Sequence, residues 1–201
     1  MFLKNMKTTF YLSLLTLTML WISGCNPTPK ITRIDPNEVT DLSGRWNDTD
    51  SRLVAEEMTR SSLEESWLRR FREKNDRRPV VIVGMILNKS HEHIDADTYI
   101  KDMEREYIKS GLVRVVTNDV FRQKLRDERA DQQDFADPST QKKFGKELGA
   151  DFMVFGNISS IVDGAGRNRV IFYQVNLELA DIETNELVWI GDKKIKKMVR
   201  N

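Results

Sequence analysis

Pro79-Val80-Val81-Ile82-Val83-Gly84-Met85-Ile86 is an uninterrupted apolar run rich in β-branched residues, the pattern of a strand buried on both faces. Such a strand belongs in the interior of a sheet. Downstream, Asp95 or Asp97 can cap a helix that carries Tyr99, Ile100, Met103, Tyr107 and Ile108 and ends at Gly111, which tolerates the left-handed turn after a helix. Leu112-Val113-Arg114-Val115-Val116 then reads as a second strand. A helix between two strands implies a crossover, so the two should lie parallel with a right-handed connection.

Upstream of the run, Asp41-Leu42-Ser43-Gly44-Arg45-Trp46 leads into Asn47-Asp48-Thr49-Asp50-Ser51, a cluster rich in N-cap residues. The helix it opens is expected to reach Glu73, because Leu63, Trp67, Leu68 and Phe71 form an i, i+4, i+5, i+8 stripe, although Glu57 and Glu64 interrupt that face. Beyond the second strand, Asn118 or Asp119 starts a helix through Phe121 and Leu125, and the charged stretch Arg126 to Asp137 reads as an exposed loop. Asp137-Pro138 pairs a cap with proline at the first helical position, opening a short helix with Phe144 and Leu148 inward that stops at Gly149.

Ala150 to Ile158 is a strand, Asp163-Gly164-Ala165-Gly166 a turn, and the next segment alternates. Ile171, Tyr173, Val175, Leu177 and Leu179 share one face, and Gln174, Asn176 and Glu178 the other. Asp181 to Glu186 turns the chain into Leu187-Val188-Trp189-Ile190. The expected fold class is α/β: a mixed sheet with a parallel βαβ part and a C-terminal antiparallel meander, helices packed on one or both faces. Val81, Val83, Val115, Val154, Val175, Leu177 and Trp189 should lie in its core.

The N-terminus sets the compartment. Lys4 and Lys7 give a positive start, Phe10 to Trp21 is an apolar run of roughly a dozen residues, too short for a permanent span, and Ile22-Ser23-Gly24-Cys25 closes it as a lipobox. Residues 1–24 are therefore read as a lipoprotein signal peptide and Cys25 as the acylated residue. Two or three acyl chains hold a protein on a membrane, where one anchors only marginally. Asn26 to Thr40, with Pro27, Pro29 and Pro36, reads as a linker reaching about 50 Å at full extension. Residues 41–201 make one globular domain by size. Cys25 is the only cysteine, so that domain would hold neither disulfide nor thiol.

The 32 basic and 31 acidic residues leave a net charge of +1, which argues against a nucleic-acid binder. His91-Glu92-His93-Ile94-Asp95-Ala96-Asp97 is the one metal-like cluster: extended, it would put His91, His93, Asp95 and Asp97 on one face, a donor set suited to zinc. Zinc sites usually draw ligands from more than one element, and no second His-bearing segment exists, so the adopted reading is a polar loop whose aspartates cap the helix. A metal-dependent enzyme would rest on His91 and His93 alone. There is no G-x-S-x-G elbow, and Gly164-Ala165-Gly166 lacks the following helix that would cradle phosphate. No catalytic residue, cofactor, metal or small-molecule substrate is expected. Two basic groups, Arg69, Arg70, Arg72, Lys74, Arg77, Arg78 and Lys193, Lys194, Lys196, Lys197, Arg200, read as solvated surface.

The lipobox, Leu42 to Ser51, His93-Ile94-Asp95, Gly149-Ala150-Asp151 and Glu186-Leu187-Val188-Trp189 together resemble the LpoB-type penicillin-binding protein activators from about Leu42 to the C-terminus, most specifically over Leu42 to Ser51. The resemblance implies a fold similar to the N-terminal domain of TolB. It further implies an outer-membrane lipoprotein facing the periplasm that binds and activates a bifunctional peptidoglycan synthase, a class A penicillin-binding protein, and is not itself an enzyme. The best-known members carry a long Pro-rich linker, and Asn26 to Thr40 is far shorter. A lipoprotein subunit of a curli-type secretion system resembles the same α/β unit; it would need an added pair of barrel-forming segments of about 9 to 11 residues, and none stands outside the core strands.

Overall fold

The computed structural model describes residues 31–36, 38–142 and 147–200. Cys25, the leader and most of the linker lie outside them. Residues 37–201 form one compact unit; residues 31–36, of the other, carry no helix or strand.

Among the described residues a single five-stranded sheet organises this unit. Its strands are β1 (Val80–Lys89), β2 (Arg114–Val115), β3 (Phe152–Ala165), β4 (Asn168–Asp181) and β5 (Leu187–Arg200), in the order β2-β1-β3-β4-β5. β1 runs parallel to both β2 and β3, and β3, β4 and β5 form the antiparallel meander. The mixed sheet expected from the sequence is thus present, with β1 inside it. Its double-sided burial holds for Val80 and Val81 but ends by Met85, because β2 is only two residues long and flanks only the start of β1.

Four helices accompany the sheet among the described residues: α1 (Asp48–Glu64), α2 (Ser66–Asn75), α3 (Ala96–Ser110) and α4 (Asp119–Phe135). Asn47 caps α1 with a full capping box: its side chain accepts from Asp50 N–H, and the Asp50 carboxylate accepts from Asn47 N–H, both at 3.0 Å. Asp95 caps α3, and Gly111 at φ 65° ends it. Tyr99, Ile100, Met103 and Tyr107 point inward from α3 as expected, whereas Ile108 is exposed.

Three expectations need correction. The first helix does not run unbroken to Glu73, because Glu65 is extended (φ −73°, ψ 155°). Trp67 Nε1 donates to Ser62 O at 2.6 Å and so takes the carbonyl that a continuing helix would offer to Ser66. The break re-aims α2 so that Trp67 and Phe71 pack on Phe152, with ring centroids 4.7 and 5.4 Å away. The stretch from Arg126 is not a loop but the rest of α4, which buries no residue. Strong helix formers and the i,i+4 bonds Gln123–Asp127 (2.9 Å) and Gln132–Glu128 (3.0 Å) sustain it without an apolar stripe. After Asp137 the described chain makes one turn, residues 147–150 are not helical and Leu148 is exposed; Phe144 lies outside the described residues.

The helices α1, α2 and α3 cover one face of the sheet, where Val54, Met58, Trp67, Met103 and Tyr107 meet Val83, Val154, Val175 and Leu177. Val81 and Trp189 join this core, and Val115 packs against it half-buried. β3 and β4 approach so closely at Gly156 that a Cβ there would stand 2.1 Å from Asn176 O. β5 extends far past Ile190. Inward lysines replace the expected apolar alternation and hide the strand in the sequence.

Candidate interaction surface

The segment Leu42 to Ser51 fastens the start of the domain to its last strand. Trp46 packs edge-on against Tyr173 of β4, centroids 5.5 Å apart, and donates from Nε1 to Ser51 Oγ at 2.8 Å. Glu92 accepts from Trp46 N–H (3.1 Å) through one carboxylate oxygen and from Tyr173 O–H (2.7 Å) through the other. Burial, then the hydrogen bond to Glu92 and its charge, push the Tyr173 phenol well up. Lys197 of β5 completes the buckle, reaching Asp41 and Asp50 at 2.6 Å each and Arg45 O at 3.1 Å.

Two carboxylates share that one ammonium unequally. The Lys197 hydrogen bond holds the exposed Asp41 below the usual carboxylate range, whereas burial pushes the deeper Asp50 upward against the pull of the same lysine. Burial opposes the charge on Lys197, yet its two acidic partners hold it above the ordinary lysine value. Lys197 therefore belongs to an internal ion cluster and not to solvated surface. Lys193 likewise turns inward onto Glu57 of α1, while Lys194 meets Asp192. Of the other basic group, Arg69, Arg70, Arg72 and Lys74 lie exposed on α2. Arg77 makes a two-pronged bond to Asp151 (2.7 and 2.8 Å), and Asp151 also accepts from Val80 N–H at 2.7 Å. The Gly149-Ala150-Asp151 motif thus joins the starts of β1 and β3.

The metal-like cluster is dispersed. Asp95 is the α3 cap, and His91 bonds Ser160 Oγ through Nδ1 at 2.6 Å while its Nε2 stands 3.4 Å from Glu92. Among the described residues no group of three or more His, Cys, Asp or Glu side chains converges as metal ligands. Ser160, His91 and Glu92 do adjoin in the sequence of a hydrolytic relay. However, Ser160 lies in the paired part of β3 opposite Tyr173, not on a turn that projects a nucleophile, and its oxygen also accepts the His91 N–H at 3.0 Å. Sequence reading missed Glu92 as a hub because the flanking histidines drew attention to metal binding. It missed Lys197 because neighbouring lysines resembled a solvated run.

The sheet face opposite α1, α2 and α3 is banded. Ile161, Phe172, Val170 and Met198 gather at one end, Phe155 and Ile190 toward the other, and Asn157, Asn176, Ser159 and Gln174 lie between. The polar band is internally bonded, Gln174 Nε2 donating to Asn176 at 2.9 Å and Ser159 Oγ to Asn157 at 3.1 Å. Such a surface suits protein contact better than small-molecule chemistry.

No curated protein sequence matches the chain. Among solved structures it is similar to the LpoB C-terminal domain from Escherichia coli, with 14% identity over 74% of this chain and 99% of that one and a TM-score of 0.44. The LpoB C-terminal domain from Salmonella enterica gives 12% identity, the same coverages and a TM-score of 0.42. Lipoprotein GNA1162 from Neisseria meningitidis gives 14% over 60% and 83%, with a TM-score of 0.36. The family match begins at Asp50, so most of the Leu42 to Ser51 buckle precedes it. Over residues 50–195 the chain matches the family described as peptidoglycan-synthase activator LpoB, and it belongs to that family.

Proposed function

We propose that the chain is a lipid-anchored regulator that binds and activates a class A penicillin-binding protein, and that it is not itself an enzyme. The observation carrying this is the family match over residues 50–195. In this reading residues 1–24 are removed and Cys25 is acylated. Residues 25–40 tether the domain to the outer membrane, and residues 41–201 face the periplasm and make the contact. A coupling of about 1 to 3 kcal/mol between binding and the synthase's active state would change its rate several-fold to about a hundredfold. Tethering adds local concentration without adding contacts.

The test is glycan polymerisation by purified class A synthases with and without the protein, with binding measured in parallel. Several-fold stimulation of one synthase is expected. If none binds and none is stimulated, the activator reading fails. Metabolic labelling with a fatty-acid probe tests the anchor separately: label should be present in the wild type and absent in Cys25→Ala.

A further inference from the structure

At the end of the sheet where Asp41 and Leu42 lead into the domain, unpaired cations collect. Leu42 and Ser43 line a depression of about 490 Å³ with Arg167 and Arg169 of the β3–β4 turn region and Val199 of β5. Arg169 also borders a second depression of about 480 Å³, where Arg45, His91 and His93 surround Trp46. Among the described residues the side chains of Arg45, Arg167 and Arg169 have no hydrogen-bond or ion-pair partner. Of the carboxylates nearby, Glu92 is bonded to Trp46 and Tyr173, Asp41 to Lys197 and Asn47, and Asp163 stands near the end of β3. One strongly exposed apolar side chain adjoins the cations: Leu42, 92% exposed, shares the first depression with Arg167 and Arg169.

Free guanidinium groups beside an exposed leucine are the chemistry of a surface that settles at the interface of an anionic bilayer. The chain enters the domain at this same end. A linker of roughly 15 residues, about 50 Å at most, therefore holds this end within reach of whatever membrane carries Cys25. We infer that the Leu42–Arg45 and Arg167–Arg169 end docks on anionic phospholipid headgroups of the anchoring bilayer, their phosphates meeting Arg45, Arg167 and Arg169 while Leu42 enters the interface. The inference rests on the anchored reading. It adds an orientation: the opposite end of the sheet, with Asp151, Asp181 and Glu186, is turned outward to partners.

The test uses the full-length acylated protein in nanodiscs of phosphatidylcholine alone and of phosphatidylcholine with phosphatidylglycerol, each with a headgroup spin label, read by amide relaxation. Relaxation should concentrate on residues 42–45 and 164–169 only with the anionic lipid. It should even out in Arg167→Glu/Arg169→Glu, whose docking should be weakened roughly 25-fold or more at about fivefold per cation. Both side chains are unpaired, so the variant should fold. Even relaxation in both lipids overturns the inference. So do amide shift changes confined to residues 42–45 and 164–169 on adding inorganic phosphate without lipid, which would mark a phosphate pocket. So, too, does loss of synthase stimulation with an unchanged bilayer pattern, which would make this a protein-binding surface. An unacylated protein would overturn the anchor as well, while stimulation of the synthase in solution would stand apart from either result.

Discussion

The ammonium of Lys197, near the end of β5, lies 2.6 Å from Oδ2 of Asp50 in the first turn of α1. The same carboxylate closes the α1 capping box, so the first helix and the last strand share one acceptor.

Lys197→Met strips Asp50 and Asp41 of their common partner and leaves the Asp50 carboxylate buried. The expected loss is about 1–3 kcal/mol of unfolding free energy at neutral pH, measured by denaturant titration. Burial already raises the Asp50 carboxyl, and losing the lysine raises it further. Protonation then relieves the penalty, so the deficit should shrink as the pH falls through the Asp50 value. A midpoint equal to wild type at neutral pH would show that the cluster contributes nothing.

The three described tyrosines should titrate late. Burial pushes Tyr99, Tyr107 and Tyr173 up, with the Glu92 charge adding to the shift at Tyr173. Their folded values exceed the unfolded value of 10.0, so their contribution is full below it and is lost as the pH rises above it. Ultraviolet titration should show these phenols ionising together with unfolding. Ionisation near pH 10 with the fold intact would contradict the burial.

Glu147 holds α4 through Arg126 (Nε and Nη2, 2.9 Å each) and Arg129 (2.7 Å). Hydrogen bonds from Arg126 and Arg129 depress its carboxyl from 4.5 to about 2. The clamp is therefore complete above pH 4.5 and is lost as the pH falls toward about 2. Glu147→Gln at neutral pH should speed amide exchange in α4 and leave the global melting temperature unchanged, because α4 buries no residue. A large fall in melting temperature would mean that α4 is part of the cooperative core.

Trp189 folds over Gly191, where a Cβ would stand 2.3 Å from its Cζ2, and donates to Ser61 Oγ at 3.2 Å. Trp189→Ala should cost about 3–5 kcal/mol. Gly191→Val should also destabilise, by expelling the ring; a neutral Gly191→Val would show that the ring has room elsewhere.

Where the apolar period was regular, the sequence foretold the structure. The alternation of Ile171 to Leu179 is the inward face of β4, and the Pro79 to Ile86 run starts β1. The failures share a cause, which is that polar interactions leave no hydrophobic period. α4 is sustained by side-chain pairs on an exposed surface, and the distal half of β5 sends lysines inward to acids on α1 and the leading segment. The break at Glu65 depends on an indole seizing a carbonyl, a choice visible only in three dimensions. The Glu92 hub was equally hidden, since its partners Trp46 and Tyr173 lie 46 and 81 residues away.

The Lys197 buckle also ties folding to the order of synthesis. Asp41 and Asp50 are made before the sheet, but the group that fastens them arrives with nearly the last residue of β5. A nascent chain interrupted just before Lys197 would have most of its sheet in place but both acids still waiting for their ammonium. Chains truncated before Lys197 should therefore hold the leading segment loosely and remain open to proteases there.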